Sequence, residues 1–195
     1  MKGKKRERII RVLLTHPDQT LTKYRIAKEA ECSHVWVLKY LHKLEQKKLV
    51  HNTDITDVKG LFLHWLEINT IPVSRQYNIQ QPLDLLEDIE LKYALTTYYA
   101  ESLMQDYLFP SRVDIYIEKN DLPHWHTMLT EHGLAGKGNV QLLADDHHVF
   151  YANKTMQGYN TVSIPQLILD LLREEGVAQE AAYMLMEKNY HATVR

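Results

Sequence analysis

The chain has 195 residues, 45% hydrophobic and 25% charged, with seven Gly and six Pro, a composition that excludes collagen, fibres and disorder and leaves room for a small domain plus a medium one. A single cysteine, Cys32, rules out an intrachain disulfide and a Cys-type zinc site, and the basic N-terminus meets too short an apolar stretch before Thr15-His16-Pro17 for a signal or membrane segment, so a cytoplasmic location is expected. The net charge of −2 hides an asymmetry: residues 1–50 carry 13 Lys+Arg against 5 Asp+Glu, net +8, while residues 51–195 carry 10 against 20, net −10.

A basic first part on an acidic remainder is the footprint of a polyanion-binding module; a merely solvated basic helix surface is the bland alternative. The elements begin with Arg8 to Leu14, where apolar residues at 9, 10, 13 and 14 predict a helix with its arginines on the opposite side, ended by Pro17. Thr22 is placed to cap a short second helix, Lys23 to Ala30. The turn Glu31-Cys32-Ser33 delivers Ser33 as the cap of a third helix to about Lys48, with Val37, Leu41 and Leu44 facing inward and Cys32 a small buried turn residue. A β-hairpin wing is expected next, from strands Leu49–Thr53 and Leu61–Ile68 around the turn-rich 54–60. The run Leu41 to Val50 resembles the passage from recognition helix to wing in many bacterial and archaeal winged-helix repressors.

Three helices and a wing predict an N-terminal winged helix-turn-helix, residues 1–70, that binds double-stranded DNA. With 37, 41 and 44 inward, Ser33, His34, Val35, Trp36, Lys39, Tyr40 and Lys43 are the expected recognition residues. Trp36 either packs on a thymine methyl or sugar, or tucks against the wing or a dimer partner. Lys23, Arg25, Lys59 at the wing tip, and Lys2, Lys4, Lys5 and Arg6 are the phosphate candidates. Some winged helices bind proteins instead, which leaves an adaptor as one alternative.

Residues 71–90, with Pro72 and Pro82 among Gln and Asn, read as a linker. Residues 91–195 then read as a mixed α/β domain, so the whole chain is expected to be α+β. A helical pattern resumes at Leu83 and continues through Tyr93–Met104, Arg112–Glu118 alternates as a half-buried strand, and Asp121–His132 is a helix. A flexible Gly133–Gly138 turn, a strand at 139–143, strand-like Val149–Tyr151 and a pairing of Thr161-Val162 across Gly158 follow. Ser163 to Gln166 has the pattern of a capping box before a helix over 164–172 closed by Gly176, and 178–190 gives the last helix.

Catalytic patterns are thin. Gly133 to Gly138 lacks the first glycine and the Ser/Thr of a phosphate loop, and His124, His126, His132, His147 and His148 lack metal-ligand spacing, so no metal or cofactor is expected. Asp114 and Glu118, at i and i+4 on one strand face, faintly echo the acidic strand of nucleotidyl transferases, leaving a nucleotidyltransferase-like enzyme or nucleotide-binding protein as the other alternative. Those enzymes use i and i+2, and position 116 is Tyr.

Four motifs in order, Tyr93-Ala94-Leu95-Thr96, Arg112 to Ile117, Val149-Phe150-Tyr151 and Val162 to Leu172, make the chain resemble AbiEi-type proteins over nearly its whole length. The resemblance implies a transcriptional regulator and antitoxin of a type IV toxin-antitoxin system. Such a protein represses its own operon while a separately encoded nucleotidyltransferase is the toxin, and it is itself not an enzyme. The partners so implied are operator DNA, a second copy of the chain, and a cognate toxin met directly or only through the operon. The second domain would support dimerisation, the antitoxin effect or sensing.

Overall fold

The computed structural model describes residues 2–87 and 89–190, with the side chain of Lys2 outside them. The chain is a mixed α+β protein of two compact units, one formed by residues 1–70 with the stretch from Ala182 onward, the other by 71–181.

In the first unit, α1 (Lys2–Thr15) packs on α2 (Lys23–Glu29) and on a later helix, and α2 packs on α3 (His34–Gln46). Both short turns are made by the backbone. α2 ends with Glu31 in the left-handed region (φ +50), Cys32 N–H donating to Ala27 O at 3.0 Å and Glu31 N–H to Lys28 O at 3.3 Å. α3 ends the same way at Lys48 (φ +60), with Leu49 N–H on Leu44 O at 3.0 Å and Lys48 N–H on Glu45 O at 2.9 Å. These paired bonds satisfy carbonyls a helix end leaves open. Cys32 is half-exposed rather than buried, and burial still pushes its thiol up.

The expected long wing is absent. β1 (Val50–His51) and β2 (Asp54–Ile55) pair antiparallel over two residues each, with Asn52 (φ +57) in the turn. Residues expected as the second wing strand form α4 (Val58–Ile68). The helix wins because Asp57 caps it, accepting from Gly60 N–H at 2.7 Å, and because Val58, Leu61, Phe62 and Trp65 recur at i, i+3, i+4 and i+7 and are all buried. Trp65, Phe62, Ile9, Ile10, Leu13, Leu14, Ile26 and Leu44 fill the core. Arg11 is buried too, its guanidinium 5.3 Å from the Trp65 ring centroid, so one predicted solvent arginine is a packing residue.

The second unit starts where a linker was expected. Residues 73–79 form β3 (Val73–Ile79), paired to two strands of a seven-stranded sheet; Tyr77 and Ile79 are buried, giving the segment a strand's alternation that the prolines on either side obscured. A short α5 (Asp84–Glu87) leads to β4 (Tyr93–Thr96) and α6 (Thr97–Gln105). The helical pattern expected from Leu83 through Met104 is thus a short helix, a strand and a second helix, and β4, buried throughout, pairs with both neighbours.

β5 (Val113–Glu118), α7 (Leu122–His132), β6 (Gly133–Ala135), β7 (Val140–Asp145), β8 (Lys154–Met156), β9 (Tyr159–Thr161), α8 (Ile164–Arg173) and α9 (Val177–Asn189) complete the order. The sheet runs β6-β3-β7-β5-β4-β9-β8. α6 and α8 cover the face carrying Thr96, Asp114 and Tyr116, while α7 packs on β3 and β6 and sets Trp125 edge-on to Tyr93. Two further expectations change: Gly133–Ala135 is an edge strand rather than a loop, and His147–Phe150 form a 3-10 turn, not a strand. At Ser163 the side chain makes no cap bond; Gln166 turns instead to Asp170 and Tyr116.

Candidate nucleic-acid interface

α3 is held from both ends and from one side. Ser33 caps it, accepting from Trp36 N–H at 3.3 Å, and Val37, Tyr40, Leu41 and Leu44 are buried. Those four positions are the buried helical stripe, with Trp36 half-buried beside them. Ser33, His34, Val35, Leu38, Lys39, His42, Lys43, Glu45 and Gln46 are exposed.

The exposed face of α3 is therefore rotated from the expected one. His34, Val35, Lys39 and Lys43 are exposed, with 34 and 43 at opposite edges of the open arc, but Tyr40 is only 4% exposed and belongs to the core. Its hydroxyl meets His64 Nε2 at 3.3 Å, burial pushes the phenol far up, and Arg6 lies 6.0 Å over its ring. Trp36 is half-buried with its Nε1 covered and unbonded, so it does not stand out as a groove contact. Leu38, His42 and Gln46 take their place on the flank. At ~100° per residue, 35 and 42 fall at the centre of the exposed arc; adding position 40 to the inward stripe 37, 41, 44 would have found this.

Lys39 and Lys43 have no carboxylate partner among the described residues. The other phosphate candidates differ. Lys23 is half-buried at the start of α2; Arg25 pairs with Glu29 at 2.6 Å and reaches Gln19 at 3.2 Å. Lys4 pairs with Glu7 at 3.7 Å, and Lys5 and Arg6 are half-buried on α1. Lys59 is not a wing tip: it stands in the first turn of α4, 5.0 Å over the Tyr183 ring. The actual hairpin tip, Asn52, is tied back to α3 by its N–H on Glu45 Oε1 at 3.1 Å.

In the second unit the polar residues gather at the start of α6. Arg112 forks onto Asp114, Nε to Oδ1 at 2.5 Å and Nη2 to Oδ2 at 2.8 Å, and reaches Glu174 Oε1 at 3.0 Å. Thr97 donates to Asp114 Oδ2 from a left-handed backbone, φ +48, rare for a β-branched residue. Behind it Asp170 accepts from Thr96 (2.7 Å), Tyr116 (3.0 Å), Gln166 (2.9 Å) and Arg173 (3.0 Å). Burial pushes both carboxyls up, while Arg112 pulls Asp114 back and Arg173 does the same for Asp170.

Asp114 and Glu118 are not brought together. Glu118 pairs with Lys92 at 3.1 Å, and four residues of strand separate it from Asp114 by about 13 Å. Two metals in a nucleotidyl-transfer site lie only ~4 Å apart. Among the described residues no group of three His, Cys, Asp or Glu is placed to hold a metal; His126 bonds Tyr77 at 2.9 Å and His132 bonds the Met128 carbonyl at 2.9 Å.

Comparison of the chain with protein-family models, curated proteins and solved structures returns no match. Nor is any helix among the described residues long and apolar enough to cross a membrane.

Proposed function

We propose that the protein is a DNA-binding regulator whose first unit, a winged helix with a very short wing, lays the outer flank of α3 in the major groove. The observation that carries this is the open stripe bearing Lys39 and Lys43 on a helix whose opposite side is locked in the core by Val37, Tyr40, Leu41 and Leu44. The net +8 of residues 1–50 supplies the field that attracts phosphates, and a short helix joined to α3 through the four residues 30–33 is consistent with a helix-turn-helix. The resemblance to AbiEi-type proteins extends the reading to repression of the chain's own operon, in the cytoplasm, beside a separately encoded toxin.

The test is a gel shift of the full chain on the duplex upstream of its own gene. The wild type retards it, and Lys39→Ala with Lys43→Ala removes the shift without lowering the melting temperature. An unaltered shift would refute the assignment of the groove-facing flank.

A further inference from the structure

The basic flank of α3 has an apolar centre. Val35 is 60% exposed and Leu38 39% exposed, one turn apart, with Lys39 beside them and Lys43 one turn further along the helix. An ordinary solvated helix face would carry polar residues there, as α3 does at 34, 42, 45 and 46. In the major groove the one apolar feature of a base edge is the C5-methyl of thymine.

Resting on the DNA-binding reading, we propose that Val35 and Leu38 read thymine C5-methyl groups, so that the helix takes duplexes with thymine at the one or two base steps it faces. Three residues of helix rise span about 4.5 Å, against a base step of about 3.4 Å along one strand, so the two side chains meet neighbouring bases. Lys39 and Lys43 on the adjoining side reach guanine edges or phosphates and hold the helix in register. Charge complementarity selects nucleic acid over another apolar surface: the ammonium of Lys39 borders the apolar pair and that of Lys43 follows one turn on, neither with a carboxylate partner among the described residues, and burying them against a protein core would cost more than the two side chains return.

The experiment selects binding sites with the full chain from a random duplex pool, then remakes the selected duplex with deoxyuridine in place of each thymine in turn. Removing a contacted methyl lowers affinity about fourfold, and two about tenfold or more, at one to three positions only. The salt dependence stays unchanged, because no phosphate contact is lost. Val35→Ser with Leu38→Ser, both exposed and outside the core, binds thymine and uracil duplexes alike.

Equal wild-type affinity for thymine and uracil duplexes overturns the methyl reading while the DNA-binding reading stands. Failure to enrich any duplex overturns both. If the double variant keeps the thymine preference but light scattering shows a dimer becoming a monomer, the apolar pair is a contact between two copies of the chain, and the inference falls.

Discussion

At the scale of single residues, burial decides what each polar side chain can do. Lys39 and Tyr40 are neighbours in sequence, yet one faces solvent and the other is closed into the core against His64. The ring of His64 is itself held off protonation, burial lowering its pKa below the ordinary 6.5 with Glu67 opposing. A lowered histidine contributes stability that is complete above 6.5 and is lost as pH falls through 6.5 towards the folded value. Thermal melts at pH 7.5 and 5.5 should therefore show a smaller acid-side drop for His64→Gln than for wild type; an equal drop would contradict the account.

Arg112 is the matching case in the second unit. Replacing it with Leu strands a buried Asp114 carboxylate, at a cost of about 3–5 kcal/mol, and adding Asp114→Leu recovers most of the loss. The deficit of the single variant narrows as pH falls, because a carboxyl whose pKa is raised favours the fold in its neutral form. Melting curves of the two variants against pH measure both effects.

At the scale of elements, the chain's own pattern announced most of the helices and the capped turns. Thr22 and Ser33 cap α2 and α3 as their residue types require, and Val37, Leu41 and Leu44 point inward. What misled was local ambiguity. Leu61–Ile68 is an almost continuous apolar run, and periodicity alone does not separate a buried helix from a strand in so short a stretch; the Asp57 cap was the deciding signal. Residues 73–79 and 93–96 become strands through partners distant in the chain, such as Leu142 opposite Arg75 and Ile115 opposite Leu95. The network at Arg112, Asp114, Thr97 and Glu174 joins a strand, a helix start and a helix end separated by as many as 77 positions, and no spacing rule reaches across that gap.

The end of α3 is also a place where residue type and backbone disagree. Lys48 sits at φ +60, a conformation that disfavours any side chain with a Cβ. Lys48→Gly should stabilise the protein by about 0.5–1 kcal/mol, read as a rise in melting temperature; a fall would mean the lysine side chain makes compensating contacts.

At the scale of the whole molecule, charge and architecture divide the chain alike, a basic helical unit and an acidic α/β one. The expected boundary near residue 70 misses that the first unit is completed from the far end of the chain. Tyr190 packs edge-on to Phe62 at 5.6 Å, and its hydroxyl donates to Leu14 O at 2.8 Å. Tyr190→Ala should cost the first unit about 3–5 kcal/mol, read as a fall in melting temperature; an unchanged melt would contradict this.

The most direct measurement of the central claim is affinity for the upstream duplex as a function of salt. If roughly five phosphates are neutralised, the slope of log affinity against log salt is about −4 to −5, and Lys39→Ala with Lys43→Ala, whose residual binding is read at lower salt than the gel shift, makes it shallower by up to about 2. A wild-type slope near zero, or a double variant with the same slope and affinity as wild type, would contradict the account.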